Sequence, residues 1–108
     1  MKAPDLAWIR RDRWDALSKK EKHSFPYLAP DFMLELVSDS DNIEVVKAKM
    51  DTWLDNGVRL AWLISLAEKT TYIYSPGQPV ETKHFTDVLS GADVLEGFET
   101  VLADILED

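Results

Sequence analysis

The stretch LAPDFMLELVSDSD, residues 28–41, decides the fold because its centre has the pattern of a β-strand that is covered on both faces. Side chains alternate between the two faces of a strand, and here both sets are apolar apart from one glutamate. The first set is Phe32, Leu34 and Leu36, and the second is Met33, Glu35 and Val37. Such a strand is typical of a sheet that is packed on both sides.

Glu35 is the discordant residue of this strand. An ionised carboxylate among apolar side chains costs several kcal/mol unless a partner compensates its charge. Two interpretations follow from the pattern. In the first, Glu35 lies at the margin of the sheet, where it reaches water or pairs with an arginine. In the second, the strand delivers the carboxylate to a bound cation.

The segment after this strand predicts a long amphipathic helix. We expect it over Asn42–Asn56, because apolar residues recur there at helical spacing and Gly57 is placed to end it. Upstream, Asp41 and Glu44 have capping-box spacing. The members of the apolar stripe are Ile43, Val46, Met50, Trp53 and Leu54.

The remaining segments predict an α/β fold. Further strands are expected at Pro4–Arg10, Leu60–Ile64, Thr71–Tyr74 and Val80–Phe85, with short helices in Arg11–His23 and around Leu102–Leu106. The strand–helix–strand order from Met33 to Ile64 predicts a right-handed crossover between parallel strands. The tight polar turn after Ile64 predicts antiparallel pairing with the next strand. The expected architecture is a mixed β-sheet with one main amphipathic helix packed on it.

The composition excludes several classes of function. A chain of 108 residues without cysteine fits one small domain and has neither disulfides nor a thiolate metal site. The net charge of −8 disfavours constitutive binding to nucleic acid, although carboxylates that hold divalent metals also make a chain acidic. No apolar run is long enough to cross a membrane, and the signal-peptide pattern is missing, so we expect a cytoplasmic location.

Asp5, Glu35 and Lys49 form the candidate site. Both acids lie at or in predicted strands, and the lysine lies on the helix that follows Glu35. Two carboxylates can hold one or two Mg²⁺ ions, which activate water, while a lysine stabilises developing negative charge on a phosphate. Lys47 is the alternative lysine, since Lys47 and Lys49 flank the apolar stripe on opposite sides. The simpler interpretation is that both are surface lysines and that Asp5 is a turn residue.

The chain resembles a known family in four successive stretches. These are PDLAWIRRDRWDAL, APDFMLELVSDSD, VKAKMDTWLDNGVRLAWLIS and LSGADVLEGF. They resemble signatures of the Uma-two family of restriction-endonuclease-like proteins, within the PD-(D/E)xK nuclease superfamily. The resemblance extends from Pro4 to about Phe98. It implies a restriction-endonuclease-like fold, a DNA substrate, and Mg²⁺ or Mn²⁺ as cofactor.

The resemblance also implies roles for single residues. Asp5 corresponds to the acid of the PD motif and Glu35 to the second acid, and both would bind the metal. The lysine expected two residues after the second acid is Val37 here. A lysine on the next helix takes its place, which matches Lys49 better than Lys47. Ser38 matches a serine that is frequent in the family after the second acid. It would bind a metal-bound water or cap the helix.

The chain differs from the family pattern at its N-terminus. Family members carry a substantial segment before the PD motif, whereas this motif begins at Pro4. Without that segment, a sheet edge and an apolar face would be uncovered. We therefore expect residues 1–108 to form a single, N-terminally truncated domain. We also expect a homo-oligomer, most simply a dimer, in which a second copy covers this face.

Two functions remain open from the sequence. The first is a metal-dependent endonuclease that hydrolyses DNA phosphodiester bonds through Asp5, Glu35 and Lys49. The second is a catalytically inactive nuclease-fold remnant that acts as an interaction or assembly module. A third, an acidic inhibitor that mimics phosphate, rests on net charge alone.

Overall fold

The computed structural model describes residues 6–23, 30–38 and 41–106. Within these residues, five strands form a sheet in the order β1-β2-β3-β4-β5, and β6 and β7 form a separate two-stranded sheet. The strands are β1 Leu6–Trp8, β2 Phe32–Val37, β3 Leu60–Ser65, β4 Thr70–Tyr74, β5 Glu81–His84, β6 Val88–Ser90 and β7 Glu99–Val101. The helices are α1 Arg11–Asp15, α2 Lys19–His23, α3 Ile43–Asp55 and α4 Leu102–Leu106. The predicted mixed α/β architecture is confirmed.

The centre of the sheet is the parallel pair of β2 and β3, which α3 connects. This pairing confirms the parallel arrangement predicted from the strand–helix–strand order. β1 pairs antiparallel with the other edge of β2, and β4 and β5 continue the sheet beyond β3 in antiparallel order. β2 is therefore an interior strand, which explains its nearly continuous apolar sequence.

Each face of the sheet has its own apolar core. On one face, which we call the α3 face, the helix packs Met50 and Trp53 against the sheet, as its stripe predicted. The sheet residues of this core include Met33, Val37, Ala61, Leu63 and Tyr74. On the opposite face, the chain that follows β5 packs Phe85, Leu89, Val94 and Leu102 onto Phe32, Leu60, Trp62 and Ile64. The sheet is thus covered by helix on one side and by the C-terminal part on the other.

The ends of α3 follow from local hydrogen bonding. Asn42 is the N-cap, and its side-chain oxygen accepts a hydrogen bond from the N–H of Glu44 at 3.0 Å. The capping box suggested by Asp41 is therefore wrong, because the adjacent Asn42 has this role. After the helix, Gly57 has a φ of 108°, a left-handed conformation that glycine adopts without a Cβ clash. The predicted stop at Gly57 is confirmed.

None of the helices in the described part of the chain combines the length and the apolar character that crossing a lipid bilayer requires.

Candidate active site

Glu35 lies on the α3 face of β2, between the buried residues Met33 and Val37. Its own side chain is half-buried, so the carboxylate keeps the access to solvent that a charged group in an apolar strand requires. In the ladder, Glu35 is opposite Leu63 of β3, which is itself opposite Tyr72 of β4. Glu35, Leu63 and Tyr72 therefore form one row across the α3 face of the sheet, with Glu35 on β2 and Tyr72 on β4.

The structure describes only one of the other two predicted site residues. Asp5 lies outside the described residues, which begin at Leu6 of β1. Lys49 is half-buried on α3, the helix that covers the face carrying Glu35. The structure therefore brings Glu35 and Lys49 to the same side of the sheet. The meeting of Asp5 with Glu35 remains a prediction.

The two lysines of α3 point to different parts of the sheet. Lys47 extends over β4, where its Nζ is 4.4 Å from the ring centroid of Tyr72 and 3.7 Å from a carboxylate oxygen of Glu44. Lys49 makes a small contribution to the lowered pKa of Asp41, in the turn after β2. Because residues two positions apart lie about 200° apart around a helix, Lys49 leaves α3 on the side away from Lys47 and β4.

A polar turn directly follows β2 and lies close to Lys49. The N–H and the hydroxyl of Ser38 both donate to Oδ2 of Asp41, at 2.9 and 3.1 Å. The bond from the backbone N–H of Ser38 is the main cause of a lowered pKa of Asp41, followed by the bond from its hydroxyl, with Lys49 contributing less. Ser38 thus orients an anionic side chain, whereas the helix cap expected of it belongs to Asn42.

The phenol of Tyr72 has an altered environment on the same face. Its hydroxyl donates to a carboxylate oxygen of Glu68 at 2.9 Å. Burial raises the pKa of Tyr72, this hydrogen bond raises it further, and the charge of Lys47 acts in the opposite direction. Tyr72 therefore stays protonated at neutral pH and keeps Lys47 over β4.

A divalent metal suits the chemistry of Glu35 only in part. Within residues 6–23, 30–38 and 41–106, no three Asp, Glu or His side chains group closely enough to hold a metal ion. Mg²⁺ is commonly held by one or two carboxylates together with water and substrate phosphate. Glu35 would supply one oxygen ligand of this kind, and the predicted second carboxylate, Asp5, lies outside the described residues.

Asp31 is a buried acid that the sequence analysis missed. Its side chain is only 2% exposed, and it accepts hydrogen bonds from the guanidinium of Arg13 at 2.7 Å and from the N–H of Arg10 at 2.8 Å. These bonds satisfy the carboxylate internally, so its role is to join α1 to the start of β2. The only signal in the sequence was an acid between a proline and an apolar strand, which is also typical of a turn.

The arginines near the N-terminus are paired with acids of the same chain. Arg10 contacts Asp12 and Arg11 contacts Asp15, each at 3.4 Å, and both pairs are substantially exposed. Exposed pairs of this kind contribute little to stability. The arrangement favours the interpretation that Arg10 and Arg11 are surface charges.

Comparisons with known proteins agree with this architecture. The family model described as "Uma2: Putative restriction endonuclease" matches residues 1–104. One solved structure with a similar fold is described as "a putative nuclease belonging to DUF820", from Anabaena variabilis ATCC 29413. It matches with a TM-score of 0.64 and 23% sequence identity, over 71% of this chain and 44% of that chain.

The two matches carry different weight. At this identity the solved structure establishes the fold alone, and the present chain spans less than half of its length. No curated protein matches the chain. The family model, in contrast, covers nearly the whole sequence, and it confirms the resemblance found in the four stretches. The chain therefore belongs to the Uma2 family of restriction-endonuclease-like proteins.

Proposed function

We propose that this protein is a divalent-metal-dependent endonuclease that hydrolyses DNA phosphodiester bonds through Asp5, Glu35 and Lys49. The observation that carries the proposal is Glu35, a half-buried carboxylate on the otherwise apolar α3 face of an interior strand. Carboxylates are oxygen ligands that Mg²⁺ takes together with substrate phosphate, and the family match supports a metal-dependent reaction at a phosphodiester.

The register of β1 and β2 supports a site shared by two carboxylates. Leu6 pairs with Leu34 and Ala7 with Met33, as expected of an antiparallel pair, in which the residue number falls on one strand as it rises on the other. If the pairing continued by one residue, Asp5 would be opposite Glu35. Directly opposed residues of an antiparallel pair lie on the same face with Cβ atoms about 4.5–5.5 Å apart. From that spacing, two carboxylates reach a common divalent ion.

Electrostatic repulsion between two opposed carboxylates would favour a bound cation at this point. Two carboxylates that oppose each other on adjacent strands repel, which destabilises the ladder at that point. A divalent cation between them removes the repulsion. When bound, Mg²⁺ or Mn²⁺ would lower the pKa of the attacking water and offset negative charge on the scissile phosphate.

Lys49, rather than Lys47, completes the proposed site. Lys47 is held over Tyr72 on β4, and β3 separates that strand from β2. Lys49 is on the opposite side of α3 from Lys47, where its ammonium group would stabilise charge that develops on the phosphate. The fixed carboxylate of Asp41 would keep Lys49 oriented before DNA binds.

The proposal also covers the domain organisation, the cellular location and the oligomeric state of the protein. We take residues 1–108 as a single restriction-endonuclease-like domain, since the family model extends over 1–104. A DNA substrate and a chain without cysteine suit the reducing conditions of the cytoplasm. We also propose that the protein forms a dimer.

Plasmid cleavage tests the proposal. Purified protein is incubated with supercoiled DNA in Mg²⁺, in Mn²⁺ and in EDTA, and nicked and linear products are quantified. Glu35→Gln keeps the size of the side chain and removes its charge, whereas Glu81→Gln makes the same change on the exposed edge strand β5. We expect cleavage by wild type and Glu81→Gln only with metal, and a loss of about a hundredfold or more in Glu35→Gln. Equal rates in wild type and Glu35→Gln would exclude this site.

A second candidate function has its own supporting observation. Several large apolar side chains on the face opposite α3 are exposed, among them Leu6 and Leu36. An exposed apolar patch often marks a surface for association with another protein. A nuclease-fold protein without activity would then serve as an assembly module. Self-association without any metal-dependent cleavage would favour this second function over the first.

A further inference from the structure

The cover of the sheet on the face opposite α3 ends over β2. Phe32 of β2 is buried, but Leu36 is 46% exposed, and on β1 the exposure is 50% for Leu6 and 37% for Trp8. Phe98, in the loop that leads to β7, is 45% exposed beside Trp62. We call Leu6, Trp8, Leu36 and Phe98 the uncovered strip.

The uncovered strip continues the core of this face to the edge of the sheet. Trp8 is opposite Phe32, and Leu6 is opposite Leu34, which packs on the core. Residues that oppose each other in an antiparallel pair share a face, so the strip and the core form one apolar surface. Within the described residues, β1 is also the edge strand. Both features leave this part of the molecule available to another chain.

A groove of about 610 Å³ runs beside the strip, between Trp8 and Phe98. One wall comes from the start of α1 and carries Arg10, Arg11 and Asp12, whereas the other carries Asp93 and Glu96. Aromatic side chains in the centre and charged side chains at the rim are the usual composition of a protein–protein interface.

The charges of the two walls determine which chain fits the groove. One wall is mainly basic and the other is acidic, so two copies related by a two-fold axis would each present the acidic wall to the basic wall. The side chain of Arg11 is 89% exposed and its pair with Asp15 is weak, so it can pair with a second copy instead. The net charge of −8 disfavours a nucleic acid or an anionic membrane in this position.

We propose that the uncovered strip and its groove bind a second copy of this chain in a two-fold symmetric dimer. Trp8 and Phe98 are the apolar anchors, and Arg11 and Glu96 form ion pairs at the rim. This surface is independent of the proposed metal site, because Glu35 lies on the α3 face. Dimerisation and DNA cleavage can therefore succeed or fail separately.

Sedimentation velocity over a range of protein concentrations tests the dimer. We expect wild type to sediment as a dimer, and Trp8→Glu to weaken self-association by at least about tenfold, as removal of a buried aromatic anchor does. Val45→Glu is the control, because Val45 is also an exposed apolar residue, at 53%, but lies on α3. Circular dichroism verifies that each variant is folded.

A charge exchange at the rim keeps the test valid if Trp8→Glu fails to fold. Arg11→Glu and Glu96→Arg each place like charges across the proposed interface, so both should weaken the dimer. The double variant restores opposite charges and should restore it. A wild type that stays monomeric at every concentration would overturn the proposal, as would a dimer that none of these changes affects. A monomer that binds anionic vesicles through Trp8 would overturn it in favour of a membrane surface.

Discussion

The guanidinium of Arg13 donates a hydrogen bond of 2.7 Å to the buried carboxylate of Asp31. This pair joins α1 to the residue that directly precedes β2. The second oxygen of Asp31 accepts the N–H of Arg10 at 2.8 Å, while its carbonyl accepts the N–H of Leu60 at 3.1 Å. One residue thus connects α1, β2 and β3. The pair holds the edge of the sheet where β1 turns into α1.

Replacement of Asp31 tests how much this connection contributes. Asp31→Ala leaves Arg13 and the N–H of Arg10 without their acceptor, and we expect the free energy of unfolding to fall by about 3 kcal/mol. Lys83→Ala removes an exposed pair with Glu81 on β5 and should change it by less than about 0.5 kcal/mol. Urea unfolding measures both. Similar losses in the two variants would mean that the buried pair is not a structural connection.

The sequence predicted the elements whose periodicity is long enough to be read. The apolar run of β3 and the stripe of α3 each extend over several residues, and both were found where the pattern predicted them. β6 and β7 were not predicted, because strands of three residues are too short to show an alternation. Their contribution to the core, through Leu89 for example, depends on contacts with residues far away in sequence.

The candidate site was predictable to a similar extent. The alternation around Glu35 predicted its strand and its face, since these depend on neighbours in sequence. The partners of an acid depend instead on how distant segments meet. For the same reason the sequence did not indicate that Asp31 binds Arg13, which is brought to it by the fold of α1.

Metal binding should appear as a change in stability. We expect Mn²⁺ or Mg²⁺ to raise the Tm of wild type, by an amount that corresponds to about 2.7 kcal/mol at a hundredfold excess over Kd. EDTA should reverse the rise, and Glu35→Gln should abolish it. Thermal unfolding tests this, and an equal Mn²⁺ response in both proteins would contradict a metal at Glu35.

We expect replacement of Lys49 and of Lys47, the two lysines of α3, to have different effects. Lys49→Met should lower the cleavage rate by about a hundredfold to a thousandfold while the Mn²⁺-dependent rise in Tm persists, because the lysine stabilises charge and does not bind metal. Lys47→Met should leave cleavage nearly unchanged and lower stability by about 1 kcal/mol, through loss of its contact with Tyr72. Cleavage rates that fall more in Lys47→Met would reverse the assignment.

Tyr74 should make the fold sensitive to alkaline pH. Burial, assisted by the charge of Asp51, raises the pKa of Tyr74 above its ordinary value of 10.0. The unfolded chain therefore releases this proton first, so the stabilising contribution is complete below pH 10.0 and is lost as pH rises through the folded pKa. Tyr74→Phe should reduce the loss of stability in that range. Urea unfolding at neutral and alkaline pH measures it, and an unchanged loss in Tyr74→Phe would contradict the assignment.

Gly91 should be intolerant of a side chain, because a Cβ at this position would overlap the Cβ and the carbonyl oxygen of Leu95. Two hydrogen bonds close this loop: the N–H of Gly91 donates to the carbonyl of Phe98, and its own carbonyl accepts the N–H of Leu95, both at 2.9 Å. Gly91→Ala must therefore shift backbone, and we expect it to cost about 2 kcal/mol of stability.

Gly77→Ala is the matched control for this prediction. Gly77 has a φ of 73° and nothing within 4 Å of an added Cβ, so its cost is limited to the left-handed backbone, about 1 kcal/mol. The Gly91 loop also carries Phe98, an anchor of the proposed dimer, so Gly91→Ala should weaken self-association whereas Gly77→Ala should not. Urea unfolding and sedimentation velocity measure the two effects. A smaller loss of stability in Gly91→Ala than in Gly77→Ala would show that Leu95 moves away without cost.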